Sequence, residues 1–188
     1  MEDTISITRE GGPSLRDILL GVTVGAVVLA IVVLLGLRLG VASETGTASA
    51  LPRAGMPAPS FALPTSDGGM FSLAEAQGQP VWLTFWATWC PPCRVEMPDL
   101  QEVYRESPGR FRYVAANFGE EASVVRKFVE EIGYTLPVAM DPNADVAVQW
   151  GVLNLPTHFF IDSNGIVREV YAGALSRSQI EDRVGRLW

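Results

Sequence analysis

Apolar residues are distributed along this chain in three different ways. Residues 18–37 contain no charged side chain and are bounded by Asp17 and Arg38. Residues 40–59 are rich in Ala, Ser, Thr, Gly and Pro and show no hydrophobic periodicity. From residue 55 onward, short apolar runs alternate with stretches in which apolar residues recur every three to four positions. The pattern predicts a hydrophobic segment, a linker, and a globular domain long enough to bury a core.

Within the domain, the pattern predicts alternating strands and helices. Apolar residues on both sides of the turn-forming segment 66–69 indicate a short hairpin. The run at 81–86 is typical of a buried strand, and the spacing over 91–106 predicts a helix directly after it. The remaining elements are predicted strands at 111–116, 136–140, 157–161 and 166–171, and predicted helices at 122–132, 144–150 and 176–187. This alternation favours an α/β fold with parallel strand pairing, and the Asn164-Gly165 dipeptide predicts a hairpin between the last two strands.

The hydrophobic segment at 18–37 has the length of a bilayer-spanning helix. A cleavable signal peptide is the alternative, because small residues such as Gly40 and Ala42 follow the segment. The apolar part of a signal peptide is usually about 7 to 15 residues, however, and this one is longer. A retained single-pass anchor in the cell membrane is therefore favoured.

The domain organisation follows from this anchor. The basic residues near the segment favour, by a small margin, an amino terminus on the cytoplasmic side. We therefore expect a cytoplasmic segment at 1–17, a transmembrane anchor at 18–37, a flexible tether at 38–54 and an extracytoplasmic domain at 55–188. The catalytic part of the chain would then lie on the periplasmic side of the membrane.

Charge and cysteine content narrow the chemistry. The 14 basic and 21 acidic residues give a net charge of −7, which provides no reason to expect a nucleic-acid partner. The two cysteines, Cys90 and Cys93, rule out a framework of several disulfides, and Arg94 excludes a C-x-x-C-H haem motif. A structural zinc needs about four ligands, and His158 is the only histidine. No metal or cofactor is therefore expected, and a redox-active pair is favoured over a static disulfide.

The two cysteines are expected to have different roles. They lie three residues apart where the predicted strand passes into the predicted helix, so their side chains share one face of the first turn. The helix N-terminus favours a thiolate at Cys90, which we assign as the nucleophile. Cys93 lies one turn further into the helix, so we assign it as the resolving thiol.

Several motifs together resemble a known family. The run FWATWCPPC is followed by Glu96-Met97-Pro98, and the chain also contains the opening 55–59, the segment 118–141 and the run from Gly151 to Thr157. These features resemble the thioredoxin superfamily, and specifically its membrane-anchored branch of ResA, TlpA and CcmG-type proteins, over residues 55–188. The resemblance implies a thioredoxin-like α/β fold: a central mixed sheet flanked by helices, with an N-terminal hairpin and a central insertion, preceded here by one N-terminal transmembrane helix.

The resemblance also implies where a partner binds. In this branch the proline that matches Pro156 is cis and lies against the cysteine pair, so Leu155, Pro156 and Thr157 are expected to form the partner-binding platform. The alternative is an ordinary trans proline before a strand, since only about one X-Pro bond in twenty is cis. Trp89 is expected at the rim beside the disulfide.

Three further residues distinguish the expected site. Thioredoxin itself buries an aspartate at the position of Thr84, and a threonine cannot act as that base. Glu96 matches a glutamate of the branch that would modulate the thiols or shuttle a proton; the alternative is an exposed carboxylate in the early turns of a helix. His158 is interpreted as a packed or half-exposed strand histidine in preference to a redox residue.

The resemblance leads to a functional expectation. We expect a thiol–disulfide oxidoreductase that reduces disulfides in exported proteins such as apocytochrome c, in cytochrome c biogenesis. A membrane thiol electron transporter of the CcdA/DsbD type would then reduce its cysteine pair again. The alternatives are a disulfide-forming oxidase, a general thiol maintenance protein, a thiol peroxidase and a non-catalytic client-binding module. The peroxidase is disfavoured because Leu83 and Ala87 occupy the positions of its Pro and Thr.

Overall fold

The computed structural model describes residues 15–38 and 51–187, which belong to two separate compact units. Helix α1 (Leu15–Arg38) contains the predicted anchor, and its described side chains are those at 16 and 19–32. No helix among the described residues meets the length and apolarity needed to cross a membrane. The anchor therefore stays a prediction, and the predicted segment 1–17 and tether 38–54 lie largely outside the described residues.

The domain is built on a five-stranded mixed sheet with the strand order β5-β4-β3-β6-β7. Strands β3 (Val81–Trp86), β4 (Arg112–Phe118) and β5 (Val138–Asp141) are parallel to one another. Strands β6 (Thr157–Ile161) and β7 (Val167–Ala172) join the other side of β3 in antiparallel orientation. A separate hairpin, β1 (Ala62–Pro64) with β2 (Met70–Ser72), precedes the sheet and confirms the predicted N-terminal hairpin.

Two hydrophobic clusters cover the two faces of the sheet. Side chains such as Trp82 and Trp86 of β3 point to one face, where they pack against α2 (Pro91–Glu106), α3 (Ala122–Glu131) and α5 (Arg177–Gly185). Their neighbours Leu83 and Phe85 point to the opposite face, where the β1–β2 hairpin and α4 (Asp145–Gln149) pack. Because every residue of β3 is buried, this strand is the centre of the domain.

The observed elements agree with the predicted α/β fold, apart from two features. Strand β5 begins at Val138 and not at 136. Pro137 has no N–H to donate to the neighbouring strand, although its carbonyl still accepts a bond from Ala115 N–H at 2.9 Å. The strand alternation alone predicted parallel pairing, whereas β6 and β7 are antiparallel, which makes the sheet mixed as the resemblance implied.

The β6–β7 hairpin is organised by one carboxylate. Asp162 Oδ1 accepts bonds from the backbone N–H groups of Asn164 and Ile166, each at 2.9 Å, and Oδ2 accepts from Arg168 Nε at 2.7 Å. Burial raises the pKa of Asp162, but the Ile166 N–H, Arg168 and the Asn164 N–H outweigh it, so that the pKa lies below its ordinary value. The ionised form therefore stabilises the folded hairpin.

The Asp162 carboxylate should contribute to acid sensitivity. Because its pKa is lowered on folding, its stabilisation is complete above the unfolded pKa of about 3.9 and is lost as the pH falls through the lower folded value. Asp162→Asn should reduce the free energy of unfolding by about 1 kcal/mol at neutral pH and should lose less further stability on acidification. Urea unfolding between about pH 3 and pH 7 measures both effects, with the exposed Asp145→Asn as the matched control. Equal acid sensitivity in Asp162→Asn and wild type would contradict this role.

Candidate active site

The register of the sheet brings three distant segments to one end of the central strands. Strand β3 ends at Trp86, which pairs with Asn117 near the end of β4. On its other side, Phe85 pairs with Thr157 at the start of β6. Because β3 and β6 are antiparallel, the residue before Thr157 lies beside the end of β3. The loop at 87–89, the N-terminus of α2, the loop after β4 and the Leu155-Pro156 segment therefore meet at one place.

The two cysteines form a disulfide at the first turn of α2. The Cα atoms of Cys90 and Cys93 are 5.3 Å apart. Cys90 is the N-cap residue, and its Sγ accepts a hydrogen bond from Cys93 N–H at 3.3 Å. Pro91 and Pro92 occupy the first helical positions, where no intrahelical N–H bond is lost. Within the described residues, no group of three or more His, Cys, Asp or Glu side chains is placed to hold a metal ion.

This geometry supports unequal roles for the two sulfurs. Once the disulfide is reduced, the Cys90 sulfur lies at the positive end of the helix dipole, beside N–H groups that have no partner in the helix. That position favours a thiolate, which is the attacking form of a cysteine. Both cysteines are buried in the disulfide form, with 2% exposure for Cys90 and 0% for Cys93, so their unequal roles rest on their positions in the helix. Cys93 lies next to Cys90 in the same turn and can attack a sulfur bonded to Cys90.

The Leu155–Pro156 peptide bond is cis, as the resemblance implied. Next to it, a groove of about 330 Å³ opens over the disulfide. Its lining residues are Trp89, Cys90, Pro91, Pro92, Phe118, Val152, Leu153, Asn154 and Leu155. The groove is mostly apolar and is lined by the N-cap cysteine, so it can hold an apolar stretch of polypeptide beside that residue.

The structure separates the predicted partner-binding residues into two layers. Trp89, which is 61% exposed, and the half-buried Leu155 both line the groove. Pro156 and Thr157 are buried behind it, and Thr157 Oγ1 donates to the Asn154 carbonyl at 2.7 Å. The most exposed apolar residue of the groove is Leu153, at 89% exposure. Sequence reasoning missed Leu153, although an apolar side chain in a loop just before the platform was a usable signal.

Glu96 is buried and not exposed on the helix surface. It is only 2% exposed, and it lies one helical turn after Cys93 on the same buried face of α2. Its Oε2 accepts a bond from Leu175 N–H at 2.9 Å and lies 3.4 Å from His158 Nε2. The interpretation of Glu96 as a solvent-exposed carboxylate is therefore wrong. The interpretation of His158 as a packed strand residue is confirmed, since the ring is fully buried.

Two buried tyrosines complete the polar surroundings of Glu96. Tyr134 donates its hydroxyl proton to Tyr113 Oη at 3.1 Å. Burial raises the pKa of both phenols well above the ordinary value. Both side chains therefore stay neutral at physiological pH and bring no further negative charge next to the Glu96 carboxylate.

A second carboxylate holds the loop that precedes Cys90. Glu120 Oε2 accepts a bond from Thr88 N–H at 2.7 Å, and Oε1 accepts from the Thr88 hydroxyl. Asn117 Nδ2 donates to the same Oε2 at 2.7 Å. Glu120 thus fastens the loop after β3 to the end of β4, and it fixes where α2 begins. This contact could not be predicted from local sequence, because it depends on the pairing of β3 with β4.

The fold and this site define a class of protein. A mixed α/β sheet with a C-x-x-C disulfide at a strand-to-helix junction, and a cis proline next to it, is the arrangement of a thioredoxin-like thiol–disulfide oxidoreductase. Residues 54–170 match the AhpC/TSA family, and the chain belongs to this family.

Individual relatives agree with this class. ResA of Geobacillus kaustophilus, a thiol-disulfide oxidoreductase, is 38% identical over 129 residues, which cover 68% of this chain and 74% of that protein. The thioredoxin-like protein YneN of Bacillus subtilis is 32% identical over 133 residues, covering 69% of this chain and 78% of that protein. The crystal structure of a thiol:disulfide interchange protein from Chlorobium tepidum matches with a TM-score of 0.64 at 33% identity, covering 73% of this chain and 99% of that one. StoA from Bacillus subtilis matches with a TM-score of 0.61 at 26% identity, covering 68% and 97%.

Replacing the Glu120 carboxylate should loosen the loop before Cys90. In Glu120→Ala, both acceptor oxygens are lost, so the Thr88 N–H and the Asn117 amide lose their partner. The free energy of unfolding of the oxidised protein should fall by about 1 to 2 kcal/mol, as measured in urea. Glu121→Ala is the matched control, because Glu121 is exposed, and it should change stability by less than about 0.5 kcal/mol. If both variants behave alike, Glu120 does not hold the loop.

Proposed function

We propose that this protein is an extracytoplasmic reductant that transfers electrons from its dithiol form to disulfides in other exported proteins. Cys90 attacks the client disulfide, and a mixed disulfide forms while one client sulfur leaves as a thiolate. Cys93 then attacks Cys90, the second client sulfur leaves, and the Cys90–Cys93 disulfide forms. The client gains two electrons and this protein loses two.

The observation that favours the reducing direction is the burial of Glu96 beneath the cysteine pair. A strong disulfide donor is strongly oxidising because its reduced form, with a thiolate, is stabilised. A buried carboxylate one turn from Cys93 opposes a second negative charge in the same apolar region. The reduced form is therefore less stabilised, and the pair gives up its electrons more readily.

The groove over the disulfide supports a polypeptide client. It is apolar, it includes the exposed Trp89 and Leu153, and it lies next to the cis Leu155–Pro156 bond. We propose apocytochrome c as the client class, which the resemblance to ResA, TlpA and CcmG-type proteins suggests. The same resemblance suggests that a membrane thiol transporter of the CcdA/DsbD type supplies the electrons.

The proposed location depends on the hydrophobic segment at 18–37. Its twenty uncharged residues support a single-pass anchor that tethers the redox domain on the outer side of the cell membrane. An exported space is oxidising, so a reductant there needs a supply of electrons through the membrane. The anchor would keep the domain close to that supply.

The trapping of mixed disulfides tests the client and the role of Cys90 together. In cells, Cys93→Ala should accumulate proteins joined to Cys90, because the resolving thiol is missing, and these adducts should disappear on treatment with dithiothreitol. Mass spectrometry identifies the trapped proteins. The matched control is the Cys90→Ser, Cys93→Ala double variant, which should trap none. Adducts that persist in this control, or none with Cys93→Ala, would contradict the proposal.

The reduction potential tests the direction of electron flow. Equilibration with glutathione should give a value at or below about −200 mV, in the range of thioredoxin and glutaredoxins. Glu96→Gln should make the potential less negative, because removal of the carboxylate favours the thiolate. A wild-type reduction potential close to about −120 mV, which is typical of a disulfide donor, would contradict the proposed reductant and favour an oxidase.

A further inference from the structure

His158 on β6 has no part in the reaction as proposed so far, yet polar partners surround its fully buried ring. Its Nδ1 lies 3.3 Å from Trp82 Nε1 and 3.0 Å from Thr84 Oγ1. Its Nε2 lies 3.2 Å from the Gly173 carbonyl oxygen and 3.4 Å from Glu96 Oε2. Both ring nitrogens are therefore engaged, and their partners determine where the ring proton resides.

The partner at Nδ1 fixes the tautomer of His158. An indole N–H can only donate, so Nδ1 must accept the bond from Trp82. The proton of the neutral imidazole then resides on Nε2. In this tautomer, His158 presents its N–H group to two oxygens.

The two oxygens at Nε2 connect His158 to the carboxylate in two ways. The ring N–H lies directly beside Glu96 Oε2. It also holds the carbonyl of Gly173, and Leu175, two residues later, supplies the backbone N–H that donates to the same Oε2 at 2.9 Å. A buried carboxylate depends on such donors, because it has lost its water. His158 therefore supports both the carboxylate and the segment that carries its backbone donor.

The other titratable groups around this pair come from three elements. Tyr113 on β4 bonds to Thr84 and to Tyr134, which follows α3, and burial raises the pKa of both phenols, so they stay uncharged. On β7, the ring centroid of Tyr171 lies 6.3 Å from that of His158. The Arg183 guanidinium of α5 lies over the outer part of this site, 4.5 Å from the Tyr171 ring centroid. With both phenols uncharged, the charged group on the buried face of α2 next to Cys93 is the Glu96 carboxylate.

We propose that His158 is a positioning residue for Glu96, the carboxylate that the family resemblance implies as a proton shuttle, and that it acts in this way while Cys93 loses its proton in the resolving step. The inference rests on the proposed function. The Cys93 proton passes to the Glu96 carboxylate, and the Cys93 thiolate donates an electron pair to Cys90 Sγ. The bond between Cys90 and the client sulfur breaks, and the departing client thiolate takes up a proton. His158 keeps the carboxylate oriented so that it can accept the Cys93 proton.

A two-phase reaction of the reduced full-length chain with the chromogenic disulfide dithiobis-nitrobenzoate tests this role. The first nitrobenzoate thiolate leaves when Cys90 attacks, and the second leaves when Cys93 resolves the adduct. In His158→Phe, the second phase should slow about tenfold, as expected when a charged group loses a polar contact and the Gly173 carbonyl beside it loses its hydrogen bond. The acidic limb of its pH–rate profile should move to higher pH, because the carboxylate form loses a polar neighbour. The first phase should change by less than about twofold.

Three further variants separate positioning from packing. His158→Gln retains a neutral N–H donor of similar reach and should retain most of the second-phase rate. Trp82→Phe removes the N–H that donates to Nδ1, so the ring is no longer held to one tautomer, and the acidic limb should not move to higher pH as it does in His158→Phe. Phe159→Leu alters the same strand on its other face and should leave both pH profiles unchanged.

Three results would overturn the role of His158. They are a second phase of His158→Phe that matches wild type, an equal slowing of both phases, and a His158→Gln variant as slow as His158→Phe. Urea unfolding of each variant shows whether it is folded under the assay conditions. The absence of a second phase in the wild-type chain would instead contradict the proposed function, so the two failures are distinguishable.

Discussion

The organisation of the site depends on one junction, where the buried strand β3 ends and helix α2 begins. Because β3 is the central strand, its end is held from both sides: Trp86 pairs with Asn117 of β4, and Phe85 pairs with Thr157 of β6. The helix that follows must therefore begin at a fixed point on the edge of the sheet. This point places the N-cap Cys90, with its sulfur at the positive end of the helix dipole, beside the cis Leu155–Pro156 bond.

The junction also explains why the surface of the site is apolar and its floor is polar. Above the disulfide, the loops at the sheet edge leave exposed apolar side chains such as Trp89 and Leu153, which water solvates poorly and a polypeptide can cover. Below it, the core contains Glu96 and His158, which would be costly there without their hydrogen-bond partners. A buried carboxylate affects a thiol strongly, since little water screens the interaction. Cys93 lies between these two environments.

Much of the fold was predictable from local pattern. Turn residues predicted the hairpin at 66–69, a short apolar run predicted the strand at 81–86, and three-to-four spacing predicted the helix that starts at Pro91. All of these are local properties of the sequence. The antiparallel addition of β6 and β7 to β3 was not predictable from alternation, because strand order depends on which surfaces the chain can bury together. The resemblance supplied the mixed sheet and the cis proline.

The sequence by itself determined the chemistry of this protein: two cysteines three residues apart at a strand-to-helix junction, with no other cysteine and a single histidine, point to thiol–disulfide exchange. Tertiary structure alone decided what surrounds that pair. Glu96 and His158 lie far apart in the sequence, as do Thr88 and Glu120, and only the register of β3 with its two neighbours brings each pair into contact. The reason is physical. Spacing along a chain fixes which side chains share one face of a helix or strand, whereas contacts between elements depend on how the whole core packs.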